Sequence, residues 1–268
     1  MSKLIEIKDL SIELKGKEIL RHANASFESG KVYLLDGKNG TGKSTLLRAI
    51  LNLANSKFMS GEITVNESKN VLKMSDGELQ YLRSTVAYLE QKDYYDQFYG
   101  VTVRDVLMDS YKNFVHREKL TQEDIRYIEE TFDKFAPVDS ALTLKKKVNK
   151  LSGGQQKLLS IISDIFIRRN SNVFLIDEPL NNLDIENVIN VSNALNQLVR
   201  EKSEAVFVLV SHCKVFPFVT TTVNIKDGQL YIEEGKNTCY TCFGEPDKDG
   251  YYVWYEKIRF WKSCIRWF

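Results

Sequence analysis

From Gly37 to Ser44 the chain reads G-K-N-G-T-G-K-S, so Gly37, Gly42, Lys43 and Ser44 fit the spacing G-x-x-x-x-G-K-S. The glycines allow a tight turn in which backbone N–H groups across Lys38, Asn39, Gly40 and Thr41 can face phosphate oxygens. A helix starting just after Gly42, through Ser44 and Thr45, would add the positive end of its dipole. Lys43 would reach the outer phosphates, and the Ser44 hydroxyl would hold Mg²⁺. Further along, V-F-L-I-D-E-P is an apolar run ending in Asp177 and Glu178. Two carboxylates at the C-terminal end of a buried parallel strand lie where α/β sheets bind ligands. Asp177 would meet the Mg²⁺ through water, and Glu178 would polarise an attacking water. The chemistry this set suits is phosphoryl transfer to water, where positioning and charge stabilisation dominate.

Those groups need strands that end at one place. K-V-Y-L-L-D (31–36) reads as a buried strand running into the glycine loop, and L-L-R-A-I-L-N-L-A after it as an apolar helix. V-F-L-I-D-E-P and A-V-F-V-L-V-S-H read as two more buried strands, separated by a helix from about Ile185 to Arg200. Buried strands alternating with helices predict an α/β domain with a mainly parallel sheet. Leu4–Ile7 and Ser11–Leu14 alternate like two half-buried strands, and S-G-E-I-T-V like a turn and strand. A polar, helical stretch runs from about Ser75 to Lys150, with a break at Pro137.

Composition narrows the class. Lys plus Arg is 37 and Asp plus Glu 36, a formal net charge of +1 over 268 residues. A protein that coats nucleic acid carries a strong basic excess, so no nucleic-acid partner is expected. No stretch reaches the roughly 20 apolar residues of a membrane-spanning helix, because His212, Lys214 and Pro217 break the best one. The opening M-S-K-L-I-E-I-K-D-L alternates apolar and charged residues, unlike a signal peptide. Four cysteines are too few for a disulfide scaffold and fit a reducing cytosol.

One further motif is specific. Leu151, Ser152, Gly153, Gly154 and Gln155 spell L-S-G-G-Q, which a generic phosphate-loop ATPase does not need. With it, the chain resembles the nucleotide-binding subunit of an ABC transporter over about residues 3–233. That resemblance implies an α/β P-loop NTPase core with an N-terminal antiparallel β-subdomain and a helical subdomain. The domain would span 1–234, with the helical subdomain at about 92–155. It implies ATP and Mg²⁺ as ligands, with Gln91 as the Q-loop glutamine on the metal, Asp184 as the acid of the D-loop, and His212 as the switch histidine. His212 would contact the γ-phosphate and orient water with Glu178. The helix after Ser152 would present its N-terminus to ATP held by the opposing subunit, so that two subunits, as a homodimer or a paired ABC subunit, close head to tail. The family's early aromatic that stacks on adenine is replaced here by Leu14, which implies weaker adenine selectivity or an apolar contact.

The resemblance further implies a cytoplasmic protein held peripherally on a membrane by separately encoded transmembrane subunits. Asp93, Tyr94, Tyr95 and Phe98, just past Gln91, are candidates for that contact. Lack of a long C-terminal regulatory domain leans towards export of a peptide, lipid or drug. The rival reading is a soluble ABC-type ATPase acting on DNA, ribosomes or cofactor assembly, against which stand the single cassette and the absence of a heptad array.

The segment 235–268 reads differently. Trp254, Ile258, Trp261, Ile265 and Phe268 fall on one face of a helix from about residue 250, and Lys257, Arg259, Lys262 and Arg266 make it basic. Such a helix suits a membrane surface or a partner interface, or packing on its own domain. Cys239 and Cys242 form C-x-x-C with Cys264 beyond, leaving zinc, a redox pair and unrelated thiols as readings.

Overall fold

A computed structural model describes residues 2–54, 59–91, 95–136, 142–211 and 216–235. His212, the Asp93–Tyr94 pair and the aromatic, cysteine-bearing segment after 235 lie outside them.

The elements run β1 (Lys3–Leu14), β2 (Lys17–Glu28), β3 (Val32–Asp36), α1 (Lys43–Ile50), β4 (Met59–Val65), α2 (Asp76–Thr85), β5 (Ala87–Leu89), α3 (Val103–Val115), α4 (Gln122–Phe135), α5 (Gly153–Ile161), β6 (Val173–Asp177), α6 (Ile185–Glu201), β7 (Val206–Val210), β8 (Thr221–Lys226) and β9 (Gln229–Glu234). Two sheets form. One is antiparallel, in the order β2-β1-β4. The other has the order β5-β6-β7-β3-β8-β9 and is parallel except for the closing β8–β9 hairpin.

Alternation along each central strand decides which core a residue joins. On β6, Phe174 and Ile176 enter one core while Val173 and Leu175 enter the other. On β3 the split is Val32 and Leu34 against Tyr33 and Leu35. The first core packs that face against α3 to α6, through Leu107, Ile128, Phe132, Leu159 and Leu195. The second packs the other face against α1, α2 and the antiparallel sheet, through Leu46, Leu82, Ile5 and Phe27. Phe174 and Phe207, paired in register on β6 and β7, stack with ring centroids 4.4 Å apart. Each such side chain contributes roughly 1.5–3 kcal/mol by leaving water.

Two differences from the sequence reading have physical causes. The two predicted N-terminal strands are one, β1, whose pairing with β2 and β4 continues on both sides of Asp9 (φ 51°). The polar Lys8–Asp9 break in alternation is an irregularity in register, not a turn. The helix after the L-S-G-G-Q motif widens into a π turn at Ile162–Phe166, where Ile167 N–H reaches back to the Ile162 carbonyl at 2.8 Å. Side chains of neighbouring helices serve the carbonyls there: Ser110 Oγ donates to Ser163 O at 2.7 Å, and Tyr127 Oη to Ile167 O at 3.3 Å.

Candidate functional site

β3, β6 and β7 are adjacent and parallel, so the loop after Asp36, the Asp177–Glu178 pair and the end of β7 share one edge of the sheet. The glycine loop needs its glycines. Gly42 has φ +105°, and a Cβ there would sit 2.1 Å from the Ile19 Cγ2. Lys43 is buried, and its ammonium donates to the carbonyls of Gly37 (2.7 Å) and Lys38 (3.2 Å). Thr41 Oγ1 also donates to Lys38 O, at 2.9 Å. An ammonium has three N–H donors, so an arriving phosphate can engage Lys43 while the loop keeps its shape.

The helix starts differ in a way that bears on anions. The first turns of α2, α3, α4 and α6 all carry acids: Asp76 and Glu78, Asp105, Glu123 and Asp124, and Glu186. Those of α1 and α5 carry none. α1 has no side-chain cap at all, so its first N–H groups are not claimed by a cap. These are the helices after the glycine loop and after L-S-G-G-Q. An acid at either start would compete with a phosphate for the same dipole.

α5 is capped by Ser152, whose hydroxyl accepts from Gln155 N–H at 3.4 Å, while Gln155 Oε1 accepts from Ser152 N–H at 3.2 Å and from the Lys146 ammonium at 2.9 Å. Ser152 therefore still has its hydroxyl proton to donate. A Cβ on Gly153 would meet nothing within 4 Å, whereas one on Gly154 would lie 3.1 Å from the carbonyl of Asn182. The L-S-G-G-Q turn thus packs against the backbone of Leu180–Asp184, L-N-N-L-D, and leaves Gly153 open. Asp184 caps α6, accepting from Asn187 N–H at 2.9 Å and Asn187 Nδ2 at 2.8 Å.

Asp177 is fully buried, and neither carboxylate oxygen has a hydrogen-bond partner. Burial pushes its carboxyl above the usual range; the nearby Ser44 hydroxyl, then Lys157 and Arg48, pull the other way without prevailing. An orphaned carboxylate beside the Ser44 hydroxyl fits a divalent cation. Among the described residues no three His, Cys, Asp or Glu side chains gather into a metal site. A Mg²⁺ that rests on substrate phosphates, water and one or two protein groups needs no such cage. Glu178, also buried, holds φ +50°, with its N–H donating to Val210 O at 2.9 Å. A left-handed Glu costs on the order of 1–3 kcal/mol and is kept where the surroundings over-determine it.

Other sites fall as follows. Gln91 is exposed, two residues past β5, and its carbonyl accepts from Lys157. Tyr95 is half-buried against the helical core, and its hydroxyl accepts from Ser160 Oγ at 3.2 Å. Phe98 and Tyr99 are exposed, at 50% and 82%. Leu14 ends β1 beside the Lys15–Gly16 turn and is 38% exposed. A cleft of about 450 Å³ next to the glycine loop is lined by Lys17, Ile19, Arg21, Gly40, Thr41 and Asp227 among others, and Leu14 does not line it. Ile19 is the residue the sequence reading missed. Its one signal is being the first apolar residue after the hairpin turn.

The ABC transporter family model matches residues 20–181. The chain belongs to the ABC transporter family. It is an ATP-binding cassette and hydrolyses ATP. It is 28% identical over 235 residues to the petrobactin import ATP-binding protein YclP of Bacillus subtilis, covering 87% of this chain and 86% of that one. It is 24% identical over 210 residues to the manganese transport system ATP-binding protein MntB of Halalkalibacterium halodurans, covering 78% and 77%. Its fold is that of a dimeric bacterial ABC transporter cassette, at TM-score 0.71 and 23% identity, over 86% of this chain and 98% of the other. Of the two relatives, the one whose name states a direction imports, so the lean towards export has no support here. Among the described residues no helix is long and apolar enough to cross a membrane.

Proposed function

We propose that this cassette is the ATP-hydrolysing subunit of a membrane transporter, working as a head-to-tail dimer on the cytoplasmic face of the membrane beside separate transmembrane subunits. The observation that carries the reading is the pair of acid-free helix starts. α1 and α5 alone among α1–α6 leave their first turns without carboxylates. One would receive the phosphates of the subunit's own ATP. The other, through Ser152, Gly153 and Gly154, would receive those of its partner's ATP. Closure then depends on an intact triphosphate, and hydrolysis reopens the dimer.

Within a site, Lys43 and the loop N–H groups bind the β- and γ-phosphates. Mg²⁺, where bound, supplies charge neutralisation between those phosphates. Ser44 and Gln91 would hold it directly, and Asp177 through water. Glu178 takes the proton of the attacking water, with His212 on the γ-phosphate and Asp184 in the D-loop. The domain spans 1–234, with the helical subdomain at about 92–155 offering exposed Phe98 and Tyr99 to a transmembrane partner. Import is the direction we favour, on the name of the petrobactin relative. The deciding experiment is affinity capture from gently solubilised membranes with mass spectrometry. A polytopic membrane protein supports the reading; ribosomes, DNA-bound proteins or assembly factors alone overturn it.

The base would lie in the cleft beside Gly40 and Thr41, against Ile19, and Leu14, outside that lining, would contribute at most a peripheral apolar contact. A stacked aromatic is worth roughly 1–3 kcal/mol per base, and the described lining has none. ATP and GTP should therefore be hydrolysed with kcat/KM values within about tenfold of each other. A strong preference for ATP counts against this base contact.

A further inference from the structure

Lys157 is a charged side chain with no part in the chemistry described above. It lies on α5, one turn past the Gly153–Gly154 start, and is 0% exposed. Its ammonium donates to the backbone carbonyls of Glu90 at 3.2 Å and Gln91 at 3.3 Å. A buried charge of this kind is costly unless it is hydrogen-bonded. The two carbonyls belong to the segment leaving β5, so one ammonium ties the helix that starts at L-S-G-G-Q to the backbone of the metal-side glutamine. That segment has a second anchor: Glu90 Oε1 accepts from Arg48 of α1 at 2.6 Å. Glu90 is thus gripped at its carboxylate from the glycine-loop helix and at its carbonyl from α5.

We propose that Lys157 is a positioning residue that sets the backbone of Gln91 for Mg²⁺ and makes the placement of that ligand depend on the seat of α5. The proposal rests on the reading of Gln91 as a metal ligand. Its physical content is that two carbonyls are held by one buried cation rather than by a flexible or solvated group. Movement of the α5 start, such as would follow engagement of the partner's ATP, is then passed to the backbone of Glu90 and Gln91 through the Lys157 ammonium.

The test loads the full chain with a fluorescent, non-hydrolysable ATP analogue and titrates Mg²⁺. Lys157→Met should raise the Mg²⁺ concentration for half-saturation about tenfold, the scale of a charge-assisted hydrogen bond. Affinity for the analogue in EDTA should stay within about twofold, because the phosphate loop is untouched. Gln91→Ala should give a similar rise, and the double variant should show no further rise, because both act through one ligand. Where Met does not fold at this position, Lys157→Gln is measured in the same way. Additive effects in the double variant, an unchanged Mg²⁺ half-point in the Lys157 variant, or an equal loss with and without Mg²⁺ each overturn the proposal. An unchanged half-point in Gln91→Ala removes the metal-ligand reading itself, and the proposal with it.

Discussion

Glu178→Gln is expected to lower steady-state ATP hydrolysis by roughly 10²–10⁴-fold, the usual contribution of a positioned general base. The amide keeps the size and shape of the carboxylate but cannot accept the proton of water. Position matters as much as chemistry here. Glu178 follows directly on the last residue of β6, in a left-handed conformation, with its N–H on the end of β7. Glutamine can occupy that backbone as glutamate does, so the variant should bind ATP as tightly as the parent. If hydrolysis is what reopens the dimer, blocking it must let the closed form accumulate. ATP added to Glu178→Gln should then shift the chain from monomer to dimer by size-exclusion with light scattering, and ADP should not. Near-parental turnover sinks the assignment of Glu178. Full loss of turnover with no ATP-driven dimer keeps Glu178 and removes the head-to-tail arrangement.

Asp177→Asn is expected to act in opposite directions on activity and on stability. Activity should fall roughly 10²–10³-fold, the cost of removing one preorganised electrostatic contact. Without nucleotide, the variant should be more stable than the parent. Asp177 is a buried carboxylate with both oxygens unpartnered, and such a group costs on the order of 1–3 kcal/mol or more. For a chain of this size that corresponds to about 2–4 °C in Tm per kcal/mol.

The pH dependence follows from the raised carboxyl. The folded protein holds this proton more tightly than the unfolded chain. The stability it contributes is therefore complete below the ordinary carboxylate pKa of about 3.9 and is lost as pH rises through the higher folded value. The gap in Tm between Asp177→Asn and the parent should widen across that interval and then level off. Mg²⁺ with ATP should narrow it, because the ligand stabilises the parent by mass action. Thermal melts of both proteins across pH, with and without Mg²⁺ and ATP, check each sign. A variant that melts below the parent without ligand shows that the carboxylate stabilises the empty fold, and the argument from its burial fails.

Much of this was legible in the chain itself. The G-x-x-x-x-G-K-S run, V-F-L-I-D-E-P and L-S-G-G-Q are contiguous, and each carries its mechanism in adjacent residues: turn, donor and helix start, or strand and acid. The central strands were legible because β3, β6 and β7 are short, apolar and free of competing helical periodicity. The closing hairpin of β8 and β9 was not, since its outer strand is mostly exposed and its pattern weak. What the sequence by itself determined, then, is the set of phosphate-binding groups and the alternation that sends Phe174 and Ile176 one way and Val173 and Leu175 the other. What only the tertiary structure decided is how distant residues meet: Ile19 against Gly42, Gly154 under the Asn182 carbonyl, Lys157 on the carbonyls of Glu90 and Gln91. A local motif is written in neighbouring residues, whereas these contacts depend on the order in which strands pair and the depth at which helices pack, and no short spacing along the chain records either.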